Sequence, residues 1–272
     1  MENNHVTTLE IDLNSIEYNF NYFKSKLKET TKVLVVVKAF GYGSDAVQIA
    51  KFLENKVDYF AVAYLDEGIA LRNAGIKTPI LVLHPQKSNV LKIIEYNLEA
   101  NAYSVNLLKA IIEIVKSDNL QNIPIHLKFN TGLNRLGFNK KDIPEIVSLI
   151  KNQKEVYIKS IFSHIAASED LNERAYTIQQ ITDFKAIADE LIPQLESSYS
   201  IDQSNNKTLI GHSFGGLFTQ YVMAQDRNSN PFNKFISSGT SYWYDSGVIF
   251  EYEQAYADAN TDLDVTFYNG MG

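Results

Sequence analysis

The chain has 272 residues of which 45% are hydrophobic, enough for one large α/β domain or two modest ones with a sizeable core. Its net charge of −7 excludes a general polyanion-binding surface, and its lack of cysteine excludes disulfides, thiolate metal sites and cysteine nucleophiles. The opening M-E-N-N-H-V has neither the basic start nor the apolar run of a signal peptide, and no window approaches the roughly 18 apolar residues of a membrane span. These features point to a cytoplasmic protein with no nucleic-acid or membrane partner.

A helix is expected first, from Leu13 to Leu27, with Asn14 as its cap. From 33 to about 192, short β-branched runs alternate with amphipathic segments, the pattern of repeated βα units around a parallel sheet. The expected strands are Val33–Lys38, Tyr59–Tyr64, Ile80–Leu83, Glu99–Tyr103, Ile125–Phe129 and Val156–Ser163. The helices that follow them are Asp45–Leu53, Asp66–Ala74, Val90–Tyr96, Val105–Val115, Ile143–Ile150 and Arg174–Leu195. Six such units in a row favour a barrel over a doubly wound sheet. Composition then changes, because Glu196–Lys207 is polar and aperiodic and reads as a surface loop. Beyond it come a strand at Thr208–Ile210, a helix from Gly216, a strand at Phe235–Ser237, a helix at Phe250–Asp258 and a last strand at Asp264–Tyr268. The chain stops directly after that strand, where a domain would ordinarily have a covering helix or tail.

Two passages carry chemistry. V-V-V-K-A-F-G-Y-G at 35–43 ends an apolar strand on a lysine, followed four residues on by a tyrosine, as a Schiff-base aldehyde site requires. Lys38 at the C-terminal end of a barrel strand points into the mouth where such folds place chemistry, and partial desolvation there favours its free amine. G-H-S-F-G-G at 211–216 sets Ser213 in a glycine-flanked turn between strand and helix, as an acyl-transfer nucleophile requires. Read without further context, Lys38 and Lys128 are also compatible with ordinary strand-end cations. Arg135 is compatible with a structural guanidinium paired to a carboxylate on a neighbouring loop, and His164 with a satisfied interior polar group. His84 and His126 show no metal-ligand spacing and read as structural.

Residues 7 to about 190 resemble the barrel domain of alanine racemase, most closely the bacterial form fused to a ligase domain. The resemblance rests on the 35–43 passage together with D-Y-F-A-V-A-Y-L-D-E-G at 58–68, L-K-F-N-T-G-L-N-R-L-G-F at 127–138 and I-F-S-H-I-A-A-S-E-D at 161–170, in the family's order and spacing. It implies pyridoxal 5'-phosphate as cofactor, alanine as the small amino-acid substrate and a homodimer. It also implies attachment of the cofactor at Lys38, a phosphate contact from the Tyr42 hydroxyl, and Arg135 facing the cofactor's phenolic oxygen. Lys128 stands at the position carbamylated in many members, and His164 packs against the pyridine ring. Racemisation needs two bases on opposite faces, and the family's second is a tyrosine on a separate β-rich domain. Nothing after 195 resembles the segment that carries it, so impaired racemisation is expected.

From about 183 onward the chain resembles the esterase group of α/β-hydrolases that includes enterobactin esterases. The passages are 189–202, T-L-I-G-H-S-F-G-G-L-F at 208–218, S-S-G-T-S-Y-W-Y-D at 237–245 and the closing strand. That resemblance implies Ser213 as nucleophile, with its acid and histidine downstream of residue 272, and His212 pointing away from it. The join runs through one helix pattern shared by both halves, which suggests a chimera.

The expected architecture is α/β: a (β/α)8-like barrel of six racemase-type units closed by two hydrolase-type units, with one strand left over. Its segments are 1–190, a cofactor-binding barrel, and 191–272, an incomplete hydrolase-like piece. If the barrel closes so, Ser213 and the amides of Phe214–Gly216 face the cofactor phosphate. The expected function is that of a pyridoxal-phosphate-binding, alanine racemase-like protein. A catalytically inert fusion and a serine esterase using Ser213 are the alternatives.

Overall fold

The run Phe60-Ala61-Val62 is buried on both sides, so its strand must be covered by helices on one face and by other strands' side chains on the other. Five more strands join it in the computed structural model, which describes residues 9–25, 32–151, 153–167, 170–198, 208–212, 234–240 and 266–271; the runs at Ile80 and Glu99 are buried likewise, whereas the first and sixth strands are only partly covered. Strands β1 (Leu34–Val36), β2 (Tyr59–Val62), β3 (Ile80–Val82), β4 (Glu99–Ala102), β5 (Ile123–Lys128) and β6 (Val156–Phe162) form one parallel sheet in the order of the sequence. A doubly wound sheet reverses its order at a switch point, whereas a barrel wall does not. The six-strand register therefore has the order of a barrel wall.

Helices α3 (Ala46–Leu53), α4 (Leu65–Asn73), α5 (Val90–Glu95), α6 (Val105–Ser117), α7 (Ile143–Ile150) and α8 (Arg174–Ser198) follow the strands in turn. Their starts are chemically marked. Asp45 accepts from the amides of Val47 and Gln48, and Ser104 accepts from Leu107, each satisfying orphan donors of a first turn. Their inner faces join one core, in which Leu71, Ile93, Leu108, Ile111, Ile146 and Leu191 are all essentially inaccessible. Helix α1 (Leu13–Lys24) precedes β1, and its cap differs from expectation: Asp12 accepts from the Asn14 amide, so Asn14 lies inside the helix. Both residue types cap well, and only the turn geometry separates them.

The first strand also ends early. Lys38 is not the last residue of β1 but the first of a turn, α2 (Lys38–Tyr42), and β1 itself ends at Val36. The other correction concerns the C-terminal segment. Strands β7 (Thr208–His212), β8 (Lys234–Thr240) and β9 (Thr266–Met271) exist close to where the apolar runs place them, but they bond to one another in a separate parallel sheet, β7-β8-β9. β7 takes β8 as its ladder partner and β8 takes β9, so β7 and β8 do not extend the six-stranded sheet into one eight-stranded wall. Ser213, Phe214–Gly216 and the two helices expected after 216 and 250 lie outside the described residues.

A β-bulge marks the pairing of β5 with β6. Ile125 faces Ile158 while His126 faces Ser160, so Lys159 is the extra residue and is re-aimed by the irregularity. Its ammonium reaches Glu99, the first residue of β4, at 2.8 Å. Glu99 also accepts from the Tyr59 hydroxyl at 2.5 Å and pairs with His126 Nε2 at 2.7 Å. The other ring nitrogen of His126 meets the Ser160 hydroxyl at 2.7 Å. Tyr59 and Glu99 both open their strands, so this network is at the end of the sheet opposite Lys38, where a barrel holds stability rather than chemistry. Burial acts to raise the Glu99 pKa, but the hydrogen bonds from His126, Lys159 and Tyr59 outweigh it and hold the carboxyl at about 2.

Candidate active site

The lysine of the 35–43 passage is presented by an unusual backbone. Val37 still bonds the β2 ladder through Ala61 at 2.9 Å. The chain then turns left-handed, with Ala39 at φ 52, ψ 50, Phe40 at φ 57, ψ 39 and Gly41 at φ 65, ψ 37, and Tyr42 follows at φ 56. Each non-glycine residue held in that region costs roughly 1–2 kcal/mol. Hydrogen bonds hold the turn: Gly41 N–H to Val37 O at 3.0 Å, Gly43 N–H to Ala39 O at 3.1 Å and Ser44 N–H to Gly41 O at 3.1 Å. Gly41 is needed for more than its φ, since a Cβ there would lie 3.0 Å from the Ala46 amide and 3.2 Å from Ile49 Cδ1. The turn brings the Lys38 ammonium to 6.0 Å from the Tyr42 ring, and it leaves Tyr42 exposed and Lys38 half-buried.

Lys128 ends β5 and is 6% exposed. Burial first, then the charges of Arg135 and Lys38, lower its pKa to about 8, so near neutrality it holds far more free amine than an ordinary lysine. Its ammonium lies 5.9 Å from the Phe162 ring. No carboxylate among the described residues pairs with Lys128, Lys38 or Arg135.

Arg135 is exposed on the loop between Phe129 and Phe138. That loop is closed at its base by Asn130 N–H to Phe138 O and Phe138 N–H to Lys128 O, both 2.8 Å. Inside it, the Asn130 side chain accepts from the amides of Gly132 and Asn134. Gly137 lets the strand bases come together: its φ is +140, and a Cβ would sit 2.5 Å from the Asn130 amide and 2.6 Å from the Phe129 carbonyl carbon. Gly137→Ala should cost about 2–4 kcal/mol through backbone overlap and strain. The measurement is a urea unfolding midpoint, and a shift inside experimental error would refute this account of the loop.

His164 follows β6 and is exposed, not the buried polar group that its position after a strand allowed. Gln180, buried on α8, donates to Thr131 Oγ1 and to the His164 carbonyl at 3.4 Å each and accepts from the Ala166 amide at 2.9 Å. Tyr176 donates to the Gly132 carbonyl at 2.6 Å. Helix α8 thereby ties the Arg135 loop to the His164 loop. His84, after β3, lies within electrostatic reach of Lys128, Arg135 and Lys38. Burial first, and then Lys128, Arg135 and Lys38, lower its pKa, while Glu67 opposes them. Its Nδ1 is buried with no hydrogen-bond partner, and its ring stacks obliquely at 5.7 Å from that of Tyr64.

Lys38, Lys128, Arg135 and His84 thus converge at the C-terminal ends of β1, β3 and β5. Lys38, Lys128 and Arg135 are a local excess of positive charge on an acidic chain, and among the described residues Glu67 is a carboxylate whose charge reaches His84 beside them. Unneutralised cations gathered where strands end are suited to an anionic ligand, and a half-buried amine among them is suited to a carbonyl. Glu67 and Gln180 escaped sequence reasoning. Glu67 sits inside a quoted motif, but the capping-box signature needs Ser or Thr three residues before it, and Tyr64 occupies that place.

Fold and site together define a parallel α/β barrel segment with two lysines and an arginine at its mouth. The chain belongs to the family described as alanine racemase, N-terminal domain, whose model matches residues 11–208. Alanine racemase 1 of Oceanobacillus iheyensis is 34% identical over 187 residues, 67% of this chain and 49% of that protein. The alanine racemase of Rickettsia peacockii is 38% identical over 196 residues, 70% of this chain and 54% of that protein. Among solved structures, alanine racemase of Clostridium difficile 630 in complex with cycloserine superposes with a TM-score of 0.66 at 30% identity, covering 82% of this chain and 57% of that one. The chain spans about half the length of the curated relatives it matches.

Proposed function

We propose that this chain is the pyridoxal 5'-phosphate-holding half of an alanine racemase-type amino-acid enzyme. The observation that carries the reading is the convergence of Lys38, Lys128 and Arg135, without a paired carboxylate among the described residues, at one barrel mouth. The residues present suit the cofactor: an amine for its aldehyde, cations for its phosphate and phenolic oxygen, and, among the described residues, no carboxylate paired with those cations. When bound, the cofactor supplies the electron sink for charge developing at the substrate's α-carbon. Lys38 would hold it through its amine and carry a proton at Nζ on one face. Tyr42 would hold the phosphate through its hydroxyl, Arg135 would meet the phenolic oxygen, and His164 would cover the ring. Lys128, with its enlarged share of free amine, can attack carbon dioxide and lose a proton, becoming a carbamate that answers the Arg135 charge. Alanine is the proposed substrate and a homodimer the proposed assembly. Inversion of the α-carbon needs a second proton carrier on the opposite face.

The test is borohydride reduction of the purified chain with added pyridoxal phosphate, followed by peptide mass mapping. A label concentrated on Lys38 supports the reading, whereas a label scattered over surface lysines overturns it. A second reading, a serine-hydrolase fragment using Ser213, rests on the sequence passage at 208–218 alone. Hydrolysis of a chromogenic ester, abolished in Ser213→Ala, would support it. Absence of both label and hydrolysis would leave an inert fusion.

A further inference from the structure

Glu67 makes three hydrogen bonds with two oxygens. Oε2 accepts from the amides of Ala63 at 2.6 Å and Tyr64 at 3.1 Å, and Oε1 accepts from the amide of Ala39 at 2.7 Å. The first two belong to the start of α4, where a glutamate in the first turn often satisfies an orphan donor. The third does not. Ala39 is 28 residues away, directly after Lys38, and its amide opens the left-handed turn. A helix cap uses one oxygen, so the second is left to bind another element.

We propose that Glu67 is a positioning residue for Lys38. Its carboxylate clamps the turn after β1 to the β2–α4 junction and so fixes the direction in which the lysine leaves the wall. Non-glycine residues in left-handed geometry persist only where their surroundings over-determine them. The turn's own bonds run from Gly41, Gly43 and Ser44 back along the chain, and each stays within residues 37–44. The Glu67 arm is the bond that ties the turn's first amide to a second strand end. Without it the turn keeps its shape but loses its anchor, and Lys38 moves with it. That the lysine then matters rests on the cofactor-holding reading; the clamp itself does not.

Glu67→Gln separates clamp from cap. A glutamine still caps α4 through its carbonyl oxygen, but its NH2 then faces the Ala39 N–H, donor against donor. Swapping the ends would give up two bonds to keep one. The experiment measures amide hydrogen exchange by mass spectrometry on peptides covering 36–43, together with the fraction of borohydride-fixed label on Lys38, in the full chain. Expected in Glu67→Gln is exchange at Ala39 about tenfold faster, as loss of a hydrogen bond to a charged acceptor implies. Peptides from α4 should be unchanged, and the Lys38 share of the label should fall severalfold. Glu67→Ala should loosen both regions. Unchanged exchange at 36–43 in Glu67→Gln overturns the clamp, as does faster exchange with an undiminished Lys38 share. If the parent chain takes no label on Lys38, the cofactor reading fails, and the exchange at Ala39 still decides the clamp.

Discussion

If the chain holds pyridoxal phosphate on Lys38 as proposed, Lys38→Arg should abolish the borohydride-fixed label at position 38 and slow exchange of the alanine α-proton with solvent deuterium by about 10²–10⁴-fold, the span typical of a positioned proton carrier. Arginine keeps the charge of the mouth, so electrostatic attraction for a phosphate survives through Lys128, Arg135 and the new guanidinium. It cannot deprotonate, and it forms no Schiff base under these conditions. The substitution therefore divides attachment from attraction. Noncovalent cofactor retained on a gel-filtration column, with no fixed label and little exchange, is the expected pattern. The position is half-buried at the mouth and not in the core, so the urea midpoint should move within about 0.5 kcal/mol of the parent. Undiminished exchange would remove Lys38 from the chemistry altogether. Solvent deuterium appearing in alanine is read by NMR, and measuring it in both enantiomers shows on which face the proton travels.

The strands at Tyr59, Ile80, Glu99 and Val156 and the helix Ile143–Ile150 could be placed from sequence because each is an apolar run or amphipathic segment bounded by polar residues. The residues of the mouth were legible for another reason: three lie inside motifs whose spacing carries them. What sequence could not show is long-range pairing. Glu67 meets Ala39, and Glu99 meets His126, across 28 and 27 residues, and no local pattern marks either pair. The left-handed turn was also hidden, because Ala39, Phe40 and Tyr42 are residue types that ordinarily avoid that conformation. Sheet membership was hidden at the C-terminal end, since the runs at 208, 234 and 266 specify strands without specifying which ladder they join.

The buried network at the opposite end of the sheet predicts a large effect that leaves the mouth untouched. Glu99→Ala strips the common acceptor from Tyr59, His126 and Lys159 and leaves buried donors without it, a loss of about 3–5 kcal/mol. Lys159→Ala should cost less, since the lysine side chain is 34% exposed and water can replace it. Acid should reproduce part of the effect in the parent chain. The Glu99 carboxyl sits at about 2 when folded against 4.5 as its ordinary value, so the unfolded chain binds the proton first as pH falls. Above about pH 4.5 both states are ionised and the network contributes in full; between there and about 2 its contribution is progressively lost. Urea midpoints measured from pH 6 down to 3 should therefore fall more steeply in the parent than in Glu99→Gln, which has no proton to take up at that site. Parallel slopes would mean that Glu99 is not held ionised by its partners. Because Tyr59 and Glu99 open their strands while Lys38 follows the end of one, the fraction of label on Lys38 in still-folded Glu99→Gln should match the parent. A matching loss of label would couple the two ends of the barrel and contradict the division of labour between them.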